Sequence, residues 1–361
     1  MLRAFRVAIY SADMKTRWMQ FVLSCSLFVA LTANAATAPA QSTGTLLVVN
    51  QGDATMSLID PASGRTLGTV PTGDAQGHGH EVAVSPDQRT AWVPIYGNTG
   101  VGKPGTDGNR ILVIDLPTHR ITGQIRFDRG VRPHLPYYDV RRRRLYVSTE
   151  LLQSLSIIDP RTKKITGNIP TGQPESHMFV VSHDGRYAYT ANVGPGTVSV
   201  LDIPHRRTIA IIRVAPRTQR ISISPDDSMV FTSDQAHPQL VVVDTAKRAV
   251  KTRIPMPATG YGSAATPDGR WLLVALPAAN AVGVVDLHGM KMAGTIPVCA
   301  KPQEILLQPD DAATAYVSCM GSASVAVVDI PGRTMKRQLH TGAKPDGLGW
   351  VASDAARKHV K

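Results

Sequence analysis

Little in this sequence favours covalent catalysis, a disulfide scaffold or a membrane span. Only 3 of its 361 residues are cysteine. Aromatic residues make up 5%, low for a protein that stacks nucleic-acid bases on a platform of rings. There is no Gly-x-Ser-x-Gly elbow and no Cys set beside a His, so no nucleophile with its base is legible. The early apolar run from Phe21 to Leu31 follows Gln20 and is broken by Ser24 and Ser26. It falls short of the roughly 20 apolar residues that cross a bilayer. Acidic residues are also outnumbered, 27 Asp and Glu against 39 Lys and Arg, for a net charge of +12.

The short run fits a leader. Lys15 and Arg17 precede it and Ala33-Asn34-Ala35 follows it, in the order of a secretory signal peptide: basic segment, apolar segment, small-residue cleavage site. We expect residues 1–35 to be removed, with Met14 the more natural start, and the mature chain to be periplasmic or secreted. Residues 36–43 are then a short disordered N-terminus and residues 352–361 a basic C-terminal tail. The leader carries four basic residues and one acidic one, so the mature chain keeps a charge near +9. Such a balance favours anionic partners. Cys25 leaves with the leader. Cys299 and Cys319 remain, and an oxidising compartment permits a disulfide between them.

What the sequence does have is a period. Seven β-branched or Leu residues are each followed by Asp at the end of an alternating apolar run: Ile59-Asp60, Ile114-Asp115, Ile158-Asp159, Leu201-Asp202, Val243-Asp244, Val285-Asp286 and Val328-Asp329. Successive Asp residues stand 55, 44, 43, 42, 42 and 43 apart. Strand-like segments at this period describe a β-propeller with four strands per blade. In one unit, His177–Ser182, Tyr187–Asn192, Thr197–Asp202 and Thr208–Arg213 read as strands, with a turn at His183-Asp184-Gly185-Arg186. Related turns recur at Ser85-Pro86-Asp87, Ser224-Pro225-Asp226, Thr266-Pro267-Asp268-Gly269 and Pro309-Asp310, where Pro fixes φ and Asp bonds nearby backbone. The fold expected is all-β, a seven-bladed β-propeller over residues 44–351. The C-terminal strand near Lys344–Trp350 should complete the N-terminal blade as its innermost strand, which removes exposed sheet edges.

Tyr146-Val147-Ser148-Thr149, Tyr189-Thr190-Ala191-Asn192 and Tyr316-Val317-Ser318-Cys319, with the Ser-Pro-Asp turns, look like the YVTN-type propeller repeat. Over its mature length the chain resembles the YncE-like periplasmic family. That resemblance implies the seven-bladed fold and suggests single-stranded DNA binding, but assigns no reaction.

Aligning the blades on these turns puts one residue per blade where the innermost strand begins at the channel mouth. These are His80, His134, His177, Gln219, Tyr261, Gln303 and Asp346. Three histidines on consecutive blades, flanked by Glu81 and Glu175 and by His78, suggest a site for Zn²⁺, copper or another divalent ion. The competing expectations are a polar pocket without metal, or histidines that merely bond the neighbouring blade. The 55-residue step adds about twelve residues within Tyr96–Arg110, including Lys103, between the second and third strands of its blade. This insert should overhang the His face as a lid or partner loop. Arg132, Arg217, Arg220, Lys301 and Lys344, with Tyr261, could form a positive, partly aromatic rim for an anionic ligand or a single strand. Arg141–Arg144 belong to a turn on the opposite face.

The expectation is therefore an exported, monomeric binding protein that recognises a ligand or protein partner, anionic ones included, through the His-bearing face. The alternative from another class is a metal-dependent hydrolase or lyase. Lactonases and the streptogramin lyase resemble this architecture, and Glu81 or Glu175 would then serve as base.

Overall fold

The computed structural model describes residues 44–74 and 77–353. The expected leader, the short N-terminus and all but the first two residues of the tail lie outside the described residues.

Seven four-stranded antiparallel units follow one another around a ring. Blade 1 combines Gly44–Asn50, Thr55–Ile59 and Thr66–Pro71 with the C-terminal strand Pro345–Ala352, which pairs with Gly44–Asn50 as the innermost member. Blade 3 runs through Pro133–Asp139, Arg144–Thr149, Ser154–Asp159 and Lys164–Pro170. Blade 4 runs through Ser176–Val181, Tyr187–Asn192, Thr197–Asp202 and Arg207–Arg213. Blades 5, 6 and 7 begin at Ile221–Ile223, Ser263–Ala265 and Pro302–Leu307.

Blade 2 departs from the pattern. Its innermost strand is split into Gly77–Gly79 and Ala83–Val84, both paired to Thr90–Gly97. The residues between, His80, Glu81 and Val82, are released from the ladder.

The middle strands are buried on both faces because each blade is sandwiched between two others. In Thr197–Asp202, Val198 and Val200 pack toward blade 5 while Leu201 packs toward blade 3. The core is consequently seven apolar layers, one at each blade interface. The layer between blades 7 and 1 joins Tyr316, Val325 and Val327 to Leu46, Val48 and Trp350. Each fully buried Val, Leu or Ile contributes about 1.5–3 kcal/mol.

The repeated polar residues are scaffold. Ser182 donates to Asp184 at 2.6 Å and accepts from the Tyr187 amide at 2.9 Å, closing the first turn of blade 4. The same arrangement recurs at Ser85–Asp87, Ser224–Asp226 and Thr266–Asp268. Of the Asp residues ending third strands, Asp60, Asp115, Asp159, Asp202, Asp244 and Asp286 accept backbone N–H groups two or three residues on. Cys299 and Cys319 are joined in a buried disulfide with Cα atoms 5.7 Å apart, tying the approach to the first strand of blade 7 to the end of its second.

Candidate functional site

The seven channel-mouth positions divide into two halves. Blades 2, 3 and 4 bring their histidines into contact. The His80 and His134 ring centroids are 5.0 Å apart, and those of His134 and His177 are 3.7 Å apart. His78 stacks on His80 at 5.1 Å. Tyr96, at the inner end of the second strand of blade 2, touches three of these rings at 5.2–5.9 Å.

His134 and His177 are only 1% and 5% exposed. Four imidazole nitrogens, His80 Nε2, both of His134 and His177 Nδ1, are buried without a hydrogen-bond partner. Native interiors pair nearly all such atoms, and each one left unpaired costs about 1–3 kcal/mol. Burial holds His134 and His177 well below the ordinary His range, and like-charged neighbours push in the same direction. His78 is pushed down to about 4, first by burial and then by His80 and Lys344. At neutral pH these rings are uncharged and carry lone pairs.

His80 is anchored on its other nitrogen. Gln51 Nε2 lies 2.9 Å from Nδ1, and Asp346 Oδ2 lies 3.4 Å from it. Tyr96 donates its hydroxyl to Glu150, whose other carboxylate oxygen accepts from Arg132 Nη1 at 3.1 Å and from the Gly102 amide at 3.2 Å. Burial and the Glu150 carboxylate raise the Tyr96 pKa, so the phenol stays protonated.

The other half is ionic and built around one buried guanidinium. Arg220, 3% exposed, pairs with Asp346 at 2.6 Å and with Glu304, and its guanidinium lies over the Tyr261 ring at 5.1 Å. Glu81 Oε1 sits 2.9 Å from Arg220 Nη2 but without the alignment of a hydrogen bond. Burial therefore raises the Glu81 carboxyl to about 7 despite the neighbouring guanidinium. Burial also opposes the Asp346 charge, yet Arg220 and His80 hold that carboxyl below its usual value. Gln219 Nε2 donates to the Tyr261 hydroxyl at 3.2 Å, while the Gln303 amide turns back onto the Lys301 and Pro302 carbonyls.

Two expectations need correction. Arg132 and Arg220 are not rim cations. Arg132 is buried, 2.6 Å from Asp107, and donates from Nη2 to the Lys103 carbonyl at 2.6 Å, so it clamps the insert to the ring. Arg220 is the hub of three carboxylates, and Tyr261 lies beneath it rather than open for stacking. Of the expected rim cations only Arg217, Lys301 and Lys344 are exposed, as is Lys103 of the insert. Glu175 likewise stands apart from the imidazoles. It lines a cleft of about 350 Å³ beneath the insert, with Gly102, Lys103, Arg132 and Glu150. Of the two candidate bases, Glu81 alone belongs to the channel network.

The insert itself, residues 98–106, does lie at the His-bearing end, held by Arg132 and Glu150. Among the described residues, no three His, Cys, Asp or Glu side chains stand at metal-ligand spacing.

Tyr96, Glu150, Gln51 and Glu304 were not anticipated. Their signal lay in the register. Gln51 and Glu150 directly follow second strands, while Glu81, Arg220 and Glu304 each directly follow a channel-mouth residue.

A ring of seven four-stranded antiparallel blades makes the protein a β-propeller. A family model described as YncE-like beta-propeller matches residues 109–294, more than half of the chain. The chain belongs to that family. Among curated proteins no match is found. Among solved structures the chain is similar to Kuenenia stuttgartiensis hydrazine synthase, with 16% identity, 82% of this chain and 98% of that chain covered, and a TM-score of 0.65. It is also similar to a dihydro-heme d1 dehydrogenase, with 15% identity, 87% and 76% coverage, and a TM-score of 0.62. At these identities the likeness concerns the fold alone.

Proposed function

We propose that this protein is an exported binding propeller that takes a ligand or a partner's side chain into the imidazole half of its channel mouth. The observation that carries this reading is the set of four buried imidazole nitrogens without partners on three consecutive blades. The imidazole half favours an uncharged polar group, because burial and the Arg220 guanidinium both oppose a positive charge at His134 and His177. The His80 anchor and the Tyr96–Glu150–Arg132 chain hold the rings in place, and preorganisation of this kind strengthens binding. Export rests on the leader-like segment before residue 36.

Native mass spectrometry of the protein purified without denaturation tests this reading against His134→Ala/His177→Ala. A non-covalent species retained one per chain by wild type and lost by the variant supports it. Identical retention by both proteins, or none by either, contradicts it.

Single-stranded nucleic acid, which the family resemblance suggests, would have to bind the exposed Lys103, Arg217, Lys301 and Lys344. Binding that falls with Arg217→Ala/Lys301→Ala and survives His134→Ala/His177→Ala would move the function from channel to rim. A hydrolase or lyase would use Glu81 as its base, since that carboxyl titrates near neutrality beside the imidazoles.

A further inference from the structure

We infer that the face opposite the imidazole mouth carries a docking surface for an anionic phospholipid bilayer, centred on the first turn of blade 3 and spreading over blade 4. The inference goes beyond the channel-mouth reading and does not depend on it. In each blade the turn between the first two strands and the turn between the last two lie at the same end, away from the histidines.

The positive charge of this face is concentrated in one sector. The four turns of blades 3 and 4, residues 139–144, 159–164, 182–187 and 202–207, hold ten Lys and Arg against four Asp. The nine corresponding turns of the other blades, residues 60–65, 84–90, 115–120, 224–229, 244–249, 266–271, 286–291, 308–314 and 329–334, hold eight against eleven. Two adjacent blades therefore carry an excess of six positive charges on turns whose counterparts elsewhere are slightly negative.

The two signs also differ in burial. Asp139 and Asp202 are 3% and 5% exposed and bond residues of their own turns. Eight of the ten basic side chains are exposed, and the other two, Arg142 and Arg144, are half-buried. The two blades are tied together beneath them. Arg141 and Arg142 donate to the His183 and Gly185 carbonyls at 3.0 and 2.8 Å, and the Arg206 guanidinium lies against Gly167 of blade 3. The basic groups thus belong to one continuous surface.

Blade 3 breaks the repeat at the centre of that surface. Where residues 85–87, 182–184, 224–226 and 266–268 read Ser or Thr, then Pro or His, then Asp, blade 3 has Asp139-Val140-Arg141. Pro and Asp serve the turn itself by fixing φ and bonding nearby backbone; Val and Arg do neither. Val140 is 64% exposed, the most exposed large apolar side chain among the described residues. Water and a nucleic-acid backbone offer such an apex no apolar cover. A bilayer surface does, while its phosphates meet the surrounding guanidinium groups. Tyr137, 37% exposed and close to Arg141 and Arg142, adds an amphipathic ring of the kind enriched at membrane interfaces. Lys and Arg are drawn to an anionic bilayer only within about a Debye length of it, so the sector sets the orientation of the ring. Docked in this way, the imidazole mouth faces away from the lipid.

The test is co-sedimentation of the purified protein with vesicles of phosphatidylcholine mixed with phosphatidylglycerol, and with vesicles of phosphatidylcholine alone. We expect binding to the anionic vesicles only, falling steeply as salt rises. Arg161→Ser/Lys164→Ser/Arg207→Ser removes three exposed charges from the sector and should weaken binding by about tenfold or more. The control Arg65→Ser/Arg89→Ser/Arg120→Ser removes as many exposed charges from blades 1 and 2 on the same face, and should stay within about twofold of wild type. Val140→Ser should weaken binding severalfold. Equal losses in the two triple variants would reveal diffuse attraction to a basic protein and overturn the docking surface. So would equal binding to neutral and anionic vesicles, no vesicle binding at low salt, or full affinity in Val140→Ser. A single-stranded oligonucleotide held by the same sector, with no vesicle binding, would overturn the bilayer as its occupant. The comparison of the two vesicle compositions uses wild-type protein and stands even if a variant fails to fold.

Discussion

The two halves of the channel mouth occupy the same register and are equally buried, yet they have opposite polar balance. In blades 5, 6, 7 and 1 the polar groups close on one another: Arg220 meets Glu304 and Asp346, and Gln219 meets Tyr261. In blades 2, 3 and 4 the histidine rings meet at tilted angles and leave four nitrogens unanswered. A purely structural ring would satisfy both halves, since unpaired buried groups destabilise the fold. The contrast separates a half held together by ion pairs from the half for which we propose binding.

The largest expected effect comes from breaking those ion pairs. Arg220→Met leaves the buried Glu81 and Asp346 and the half-buried Glu304 without their counter-charge, and should destabilise the fold by about 3–5 kcal/mol, read as a lower urea midpoint. A midpoint within error of wild type would mean that the carboxylates re-pair elsewhere, and that the ion pairs do not hold this half together.

The disulfide on the ionic side comes next. Cys299 and Cys319 are 20 residues apart in sequence, and a loop of that length gives about 3 kcal/mol by chain entropy. Cys299→Ala/Cys319→Ala should lose an amount of that order in urea melts, while wild-type protein in strong reductant behaves in the same way once the bridge opens.

The halves should also differ in pH dependence. His78, pushed down to about 4, and His134 and His177, held well below the ordinary histidine value of 6.5, stay neutral in the folded chain where the unfolded chain binds protons. Their contribution is complete above 6.5 and is lost as pH falls below it. Glu81, raised from 4.5 to about 7, acts in the opposite direction. It contributes fully below 4.5 and loses that contribution as pH rises through 7. Three imidazoles outnumber one carboxyl, so the unfolding free energy should fall between pH 6.5 and 5, and His134→Leu should flatten that slope. An unchanged slope in His134→Leu would show that His134 already titrates normally.

The smallest effect belongs to the rim. Arg217→Ala/Lys301→Ala should change stability by no more than about 0.5 kcal/mol, as exposed substitutions usually do. Any nucleic-acid binding these residues support should weaken uniformly and lose salt dependence. A large loss of stability would show that these side chains are structural after all.

The period made the blades legible because every Val-Asp mark ends an equivalent strand, and six of those Asp residues bond the turn that follows. The same register put His80, His134, His177 and Asp346 on one ring. It could not show which residues meet across the channel. Arg220 and Asp346 are 126 positions apart, and no local pattern records that their charges meet. Arg220 was read as a rim cation because charged residues are seldom buried, a rule that lapses when three carboxylates converge. Tyr96 looked like an ordinary strand aromatic, since nothing nearby in sequence marks Glu150 as its acceptor. Glu175 was placed with the histidines by adjacency to His177, but its left-handed backbone, φ 54°, belongs to the turn beneath the insert.

Replacing one unpartnered imidazole tests the central claim most directly. His134→Leu keeps similar volume and removes two unpaired nitrogens, so its unfolding free energy in urea should equal or exceed that of wild type by up to about 2 kcal/mol, while binding at the channel mouth is lost. A loss of 2 kcal/mol or more would contradict the account, because it would make His134 part of the scaffold.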